Sequence, residues 1–294
     1  MSFQDMQKQI ESINNTAKMT GAMQTISAVK LQRARERLGR IRPYTDNVDE
    51  MMRDIARGAQ SNSPLLVGRD EVNTIALCII TSDRGLAGAF NSNVLRYAMQ
   101  FREERGTDSL QVVTGNKATE FFRFRRLGVE AAYTGFSDQP SYEKAREIGN
   151  HLFQLFEDEE VDEVYVFYNR FQNALVQRAT YTRLLPVASE EDTGEEDEGE
   201  EDGSGGDPFE FIPGPDELLQ RLVPRYVETL VFRALVENAA GEHGARMSTM
   251  KSATDAANEM SEQLEQQINK QRQAAITQEL VEIAAAMEAL GMLG

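Results

Sequence analysis

Cysteine and histidine, which often bind metals or act in catalysis, are nearly missing from this chain of 294 residues. The single cysteine, Cys78, lies in an apolar run, so one chain forms no disulfide, no dithiol switch and no cysteine-rich metal site. We predict that it is a buried, inert thiol. The two histidines, His151 and His243, lie far apart without a carboxylate at ligand spacing, which argues against a zinc site or a Ser–His–Asp triad. We therefore predict no metal site, no cofactor and no catalytic residue, and we expect His243 in a glycine-rich kink between helices.

Long apolar runs are also missing, because no stretch of 18 or more apolar residues occurs. This predicts that no segment spans a bilayer. The first residues show neither an apolar signal core nor an arginine- and serine-rich transit segment. We expect the chain to stay in a cytoplasm-like compartment.

Basic residues are missing from one stretch, residues 190–217, although the same stretch is rich in acidic residues and glycine. The net charge of −17 is therefore concentrated in one segment, and the rest of the chain is nearly neutral. This distribution argues against nucleic-acid binding. We predict that residues 188–215 form a flexible, acidic loop.

The N-terminal part, residues 1–57, has the pattern of one long helix. From Phe3 to Ile41, mostly apolar residues recur in alternating steps of three and four, which is typical of a coiled-coil seam. Where the seam becomes polar, a second apolar stripe appears, made of Met19, Met23, Ile26 and Val29. The helix is expected to contact something besides its partner helix at this level.

The C-terminal part, residues 216–294, has a matching pattern. Pro224 interrupts it and predicts a break or a new helix start. After Gly244, neither glycine nor proline occurs before Gly291, and apolar residues from Ile276 onward follow heptad spacing. Two such long helices cannot be buried in a small globule, so we predict that they pair as an antiparallel coiled coil.

The middle of the chain, residues 73–187, alternates strand and helix patterns. This alternation predicts a Rossmann-like α/β domain with a parallel sheet. The final strand, Ala174–Leu185, is expected to pair antiparallel with Val161–Tyr168. The predicted segments, in chain order, are strand Asn73–Asp83, helix Asn91–Arg105, strand Ser109–Thr114, helix Lys117–Leu127, helix Tyr142–Glu160, strand Val161–Tyr168 and strand Ala174–Leu185.

A glycine-containing turn follows the first predicted strand, where nucleotide-binding folds place a phosphate loop. Its glycines, Gly85 and Gly88, match neither the dinucleotide spacing nor a Walker-type ending. We favour a tight structural turn over direct nucleotide binding.

Several strings, taken together and in order, resemble the F-type ATP synthase gamma subunit family over essentially the whole chain. The strings are Ile13–Met23, Ala28–Lys30, Arg42–Tyr44, Thr81–Gly88 with Asn91, Ala245–Met247, Met250–Ala256, Asn269–Lys270, Arg272–Ala274 and Ile276–Ile283. The last of them is the family's signature region.

The resemblance implies a non-catalytic rotor subunit in the central stalk of a bacterial, proton-translocating ATP synthase. The coiled coil would enter the cavity of three alpha and three beta subunits, and the α/β domain would bind the epsilon subunit and the c-ring. Rotation would couple proton flow to conformational cycling of the catalytic beta subunits. The chain would lie peripherally at the cytoplasmic face of the cell membrane.

The resemblance also changes how the basic residues are interpreted. Periodicity alone favours a solvated helix face for Lys30 and Arg33, whereas the family implies ionic contacts with acidic loops of the surrounding subunits. The implied subunit contacts are Met23, Lys30, Arg33, Arg246, Arg272, Gln273, Thr277 and Glu282. The implied c-ring and epsilon contacts are Phe209, Phe211 and Ile212, with Ile212 in place of the usual acid.

Two other hypotheses stay open from the residues alone. One is a free-standing coiled-coil scaffold with an α/β head, although an apolar tip from Leu280 to Leu293 speaks against it. The other is a small-molecule enzyme that uses the turn at Gly85 and Gly88, which lacks an acid–base pair. Chain departures from the family pattern, at Ala87 and at Ala286 with Met287, leave the long helices in place, and the lone Cys78 excludes a redox switch of the chloroplast type.

Overall fold

A computed structural model describes residues 3–58, 63–69, 71–187 and 215–289. The predicted acidic loop, including Phe209, Phe211 and Ile212, lies outside the described residues. Six helices and five strands are described, and their contacts divide the chain into two units. The helices are α1 Phe3–Gly58, α2 Pro64–Val67, α3 Phe90–Arg105, α4 Asn116–Arg125, α5 Tyr142–Glu157 and α6 Pro215–Ala289. The strands are β1 Thr74–Ile80, β2 Asp108–Thr114, β3 Ala131–Tyr133, β4 Glu163–Phe171 and β5 Gln177–Leu185.

The larger unit, residues 27–248, contains a five-stranded sheet in the order β3-β2-β1-β4-β5. The first four strands are parallel, because helices connect them, and β5 is antiparallel to β4. This confirms the predicted antiparallel pairing of the last strand.

Alternating side chains of β1 face the two sides of the sheet. Ile75, Leu77 and Ile79 pack with residues of α3 and α4. Ala76, Cys78 and Ile80 pack on the other side, against α5, α6 and part of α1. Cys78 is fully buried, and burial raises the pKa of its thiol to about 12, as expected for an inert cysteine.

The smaller unit comprises residues 1–26 and 249–294, of which 3–26 and 249–289 are described. Thr20 and Thr254 join their hydroxyl oxygens at 2.6 Å, and the Ser261 hydroxyl donates to the Asn14 side chain at 2.9 Å. The earlier residue of α1, Asn14, contacts the later residue of α6, Ser261, so the two helices run antiparallel. The predicted fold class, an α/β domain with a coiled coil of both termini, is confirmed.

Three local expectations were wrong. Pro224 lies within α6 without ending it, and buried neighbours, Val223 and Val227, hold that turn against the sheet domain. Gly241 and Gly244 also lie inside α6, so His243 is on a continuous helix and not in a kink. The short β3 was missed, since three residues are too few to show a strand period.

The predicted domain boundaries, 1–57, 73–187, 188–215 and 216–294, stay a prediction. The packing adds that α1 from Ser27 and α6 up to Ser248 belong to the same unit as the sheet. Among the described residues, no helix has both the length and the apolarity that crossing a bilayer requires.

Candidate functional site

The turn after β1 is organised by a carboxylate. Asp83 accepts hydrogen bonds from the backbone N–H groups of Asn116 at 3.1 Å, Gly135 at 3.0 Å and Ser137 at 2.9 Å. It therefore ties together the loops at the carboxyl ends of β1, β2 and β3. Burial alone would raise the pKa of Asp83, but these donors outweigh it and lower the pKa. The Asp83 carboxylate thus has a structural role at this turn, which agrees with the prediction of a tight structural turn.

Parallel sheets bind ligands in the crevice where the strand order reverses, here between β1 and β4. In this chain α6 lies at that edge. The side chain of Asn238 accepts from the backbone N–H of Asn169 at 3.4 Å, and that of Glu237 accepts from Phe171 at 3.3 Å. A helix of the chain itself thus packs where a Rossmann-like domain would hold a ligand.

Arg246, one of the predicted subunit contacts, is buried within the larger unit. Its Nε and Nη2 both donate to the Gly85 carbonyl at 3.2 Å, and Nη2 donates to Glu242 at 2.6 Å. Burial raises the pKa of Glu242 above its usual value even though Arg246 opposes this shift. The sequence does not predict these partners, although Glu242 and Arg246 have the four-residue spacing of a helical ion pair.

Lys30, another predicted contact, forms an ion pair inside the chain. Its ammonium donates to both carboxylate oxygens of Asp138, at 2.8 and 2.6 Å. On the other side of Asp138, Nε2 of His243 lies 3.3 Å from the carboxylate. Burial lowers the pKa of His243 to about 4, and Asp138 only partly opposes this. The involvement of Asp138 was missed, because no local pattern links it to either partner.

A cavity of about 270 Å³ lies beside this ion pair. Its polar lining comes from Lys30, Arg33, Arg37, Asp138, Gln139 and His243. Arg33 is exposed and has no hydrogen bond or ion pair to the described residues, whereas Arg37 lies over the Phe232 ring at 5.6 Å. Arg33 is thus available to an acidic group of another molecule.

In the smaller unit, the second apolar stripe of α1 is largely exposed. Met19 and Ile26 are exposed, and Met23 is half-buried.

All side chains of α6 from Asn269 to Met287 are exposed, including apolar ones such as Leu280, 62% exposed. Four of the predicted contacts lie here, namely Arg272, Gln273, Thr277 and Glu282. Thr277 donates to the Gln273 carbonyl at 2.9 Å, and Glu282 accepts from Gln278 at 3.1 Å. Within the described part of the chain, Gln273, Thr277 and Glu282 form hydrogen bonds only inside α6, and Arg272 forms no hydrogen bond or ion pair.

Comparison with known proteins identifies the family of this chain, in which α6 covers the ligand-binding edge of the α/β sheet and its later part is exposed. The family model for ATP synthase matches residues 2–290. The ATP synthase gamma chain of Rubrobacter xylanophilus is 54% identical over 293 residues, 98% of each chain. The chain belongs to the ATP synthase gamma chain family.

Solved structures similar to this gamma-family chain have the same fold. The Euglena gracilis mitochondrial ATP synthase rotor in rotational state 1 matches with a TM-score of 0.67 at 16% identity, covering 93% of this chain and 98% of that one. A structure of the OSCP, F1 and c-ring of the same synthase in rotational state 3 matches with a TM-score of 0.66 at 19% identity, covering 98% and 94%. At these identities the likeness concerns the fold alone. The family membership, in contrast, favours a subunit of an ATP synthase over a free-standing scaffold.

Proposed function

We propose that this chain is the central-stalk rotor subunit of a proton-translocating F-type ATP synthase. The observation that carries the proposal is the stretch 269–287 of α6, which is exposed on all sides although it contains many apolar residues. Such a surface is typical of a segment that another protein encloses. The family membership identifies that protein as the rest of an ATP synthase.

The chain itself supplies no catalytic group in this proposal. Its two paired helices differ in sequence, so they present a different face to each of three alpha and three beta subunits. Rotation therefore changes the affinity of each beta site for nucleotide in turn, which is a coupling of free energies between sites. ATP synthesis or hydrolysis is then linked to proton flow.

In the same proposal, the α/β domain binds the epsilon subunit and the c-ring of the membrane sector. The gamma-like chains of the Euglena structures belong to a rotor and to an assembly with F1 and a c-ring, which supports these partners. Phe209, Phe211 and Ile212 stay candidates for this contact. The chain would then lie peripherally on the cytoplasmic face of a bacterial membrane.

The proposed contacts divide into three groups. Arg272, Gln273, Thr277 and Glu282 would meet the enclosing subunits along α6, and Met23 would do so along α1. Arg33 would meet an acidic loop beside the 270 Å³ cavity. Lys30 and Arg246 would act on such a loop only in competition with their own partners, Asp138 and Glu242.

Co-expression with alpha and beta chains tests the rotor function. We expect a complex with three copies of each and one copy of this chain. Purification of this chain alone, as a monomer or homodimer that leaves alpha and beta behind, would contradict it.

A matched pair of variants then tests the contact set. Arg272→Glu is expected to reduce ATP hydrolysis by the complex about tenfold, because it reverses a charge opposite a carboxylate. Lys270→Glu makes the same change two residues earlier, also at an exposed position, and is expected to have little effect. Equal rates for the two variants would remove Arg272 from the contact set.

A further inference from the structure

The stretch 234–244 of α6 is buried on every face, which is unusual for a helix that is amphipathic elsewhere. Its polar residues distinguish it from an ordinary core helix. Glu237, Asn238, Glu242 and His243 are all almost completely buried, and Arg246 follows one turn later. Most buried polar groups in proteins have hydrogen-bond partners, and most of these do, although Glu242 Oε2 and His243 Nδ1 have none among the described residues.

Those partners come from several different parts of the larger unit. Gly85 is on the connection after β1, Asp138 is on the loop after β3, and Asn169 and Phe171 are at the end of β4. Two further residues, Phe90 at the start of α3 and Ala174 in the turn after β4, are close neighbours of the glycines of this stretch rather than hydrogen-bond partners. We call this set, together with Lys30 of α1, the collar. It consists of Lys30, Gly85, Phe90, Asp138, Asn169, Phe171 and Ala174.

Two glycines of α6 let the collar approach closely. A Cβ atom added at Gly241 would lie 2.9 Å from the Phe90 ring, and one at Gly244 would lie 3.0 Å from the Ala174 carbonyl oxygen. Sliding α6 by one turn, about 5.4 Å, would replace at least one of these glycines with a residue that has a side chain.

The same slip would separate the polar pairs. Glu237 would leave the Phe171 N–H, Asn238 would leave Asn169, and Arg246 would leave the Gly85 carbonyl. Unpaired buried polar groups are strongly unfavourable, so directional pairs specify register in a way that apolar contacts do not.

Asp138 brings α1 into the same arrangement, because it binds Lys30 of α1 and His243 of α6 at once. A second link between the two helices involves Arg233 of α6, which binds Asp46 of α1 at 3.0 Å and Glu237 of α6 at 3.2 Å. Both long helices are therefore tied to the sheet domain through polar contacts.

We propose that the collar fixes the axial and rotational register of both long helices against the α/β domain, with Asp138 as its main positioning residue. This inference rests on the proposed rotor function. In that function, torque applied to the α/β domain reaches the coiled coil only if the two cannot slip, and the collar is the device that prevents slipping.

Charge reversal at Asp138 tests the proposal in the complete ATP synthase reconstituted in vesicles. The measured quantity is the number of protons pumped per ATP hydrolysed. Asp138→Lys places a cation beside Lys30, and we expect the ratio to fall about tenfold, because attraction becomes repulsion, while hydrolysis continues. The double variant Lys30→Asp with Asp138→Lys restores the pair, and we expect it to recover most of the ratio.

The control is Glu147→Lys, which reverses a carboxylate of a similar ion pair, Lys144–Glu147 at 2.7 Å, outside the collar on α5. It is expected to leave the ratio unchanged. If Asp138→Lys fails to assemble, Asp138→Asn takes its place, with a smaller fall of the ratio as the expected result.

Three results would overturn the collar: an unchanged ratio in the Asp138 variant, an equal fall in the control, or a fall that the double variant does not repair. Failure of the proposed function has a different signature. In that case the wild-type chain itself neither assembles with alpha and beta nor supports pumping.

Discussion

Two stretches of the same helix, 234–244 and 269–287 of α6, reverse the usual distribution of polar and apolar residues. The first is buried on all faces and contains Glu237, Asn238, Glu242 and His243. The second is exposed on all faces and contains Ile276, Leu280, Val281 and Ile283. Amino-acid type alone therefore does not determine which part of this helix is buried.

The difference lies in where the partners of each stretch are found. Most of the buried polar residues of 234–244 are paired with groups of the same chain, so this stretch is packed within the larger unit, although Glu242 Oε2 and His243 Nδ1 have no hydrogen-bond partner among the described residues. The exposed apolar residues have no such partners among the described residues, which fits a stretch completed by other subunits. Substitutions in the two stretches are thus expected to have opposite consequences for the isolated chain and for the assembly.

The largest effect on the stability of the isolated chain is expected where Gly244 of the buried stretch lies close to the Ala174 backbone. Gly244→Leu should lower the free energy of unfolding of the isolated chain by about 3 kcal/mol, because the new side chain meets the Ala174 backbone. Gly39→Leu is the matched control on α1, where an added Cβ meets nothing within 4 Å, and it should stabilise the helix by about 0.8 kcal/mol. Thermal or denaturant unfolding measures both, and a tolerated Gly244→Leu would show that the stretch is loosely held.

The buried histidine should make stability depend on pH. Burial holds the pKa of His243 at about 4, below its ordinary value of 6.5. Between these values the unfolded chain binds a proton that the folded chain does not, so stability falls as the pH decreases from 6.5 to 4 and this contribution levels off below 4. The expected loss is about 2–3 kcal/mol.

His243→Gln isolates this contribution. Carboxylates with lowered pKa values, such as Asp83 and Asp162, also lose stability in acid, but they do so in both proteins and at lower pH. Denaturant unfolding of the isolated chain at several pH values should therefore show a smaller slope for the variant between pH 4 and 6.5. Parallel curves would mean that His243 is not held neutral.

A smaller effect is expected at the turn after β1, outside the collar. Asp83→Asn keeps the shape of the side chain but removes the charge that three backbone N–H groups bind, and should cost about 1.5 kcal/mol of unfolding free energy. The carboxylate's contribution should also disappear in the wild type as the pH falls through its lowered pKa. Equal stability of wild type and variant at pH 7 would contradict the role given to Asp83.

The smallest effect on the isolated chain is expected at the exposed stretch. Leu280→Ala should change the unfolding free energy by less than about 0.5 kcal/mol, because an exposed side chain leaves no cavity. Leu235→Ala, the same change at a buried position of α6, should cost about 3 kcal/mol. The order should reverse for assembly with alpha and beta chains, and a strong loss of stability at Leu280 would mean that the isolated chain already buries it.

The long helices and the main strands were predictable because their apolar residues repeat with a regular period over many residues. The antiparallel pairing followed from two matching stripes at the chain ends. The polar contacts of the collar were not predictable, since Asp138 meets Lys30 and His243 only after three distant segments have folded together. Gly241 and Gly244 show the same limit, because a glycine required for a close approach has the same sequence signature as one that ends a helix.

The buried cysteine has a practical consequence for experiments on rotation. A thiol reacts with labelling reagents as the thiolate, and a pKa of about 12 leaves Cys78 almost wholly undissociated at neutral pH. The wild-type background is therefore silent towards maleimides while the chain is folded. A cysteine introduced at an exposed position of the α/β domain, such as Phe124 at 89% exposure, would carry a single fluorophore or bead without removal of the native thiol.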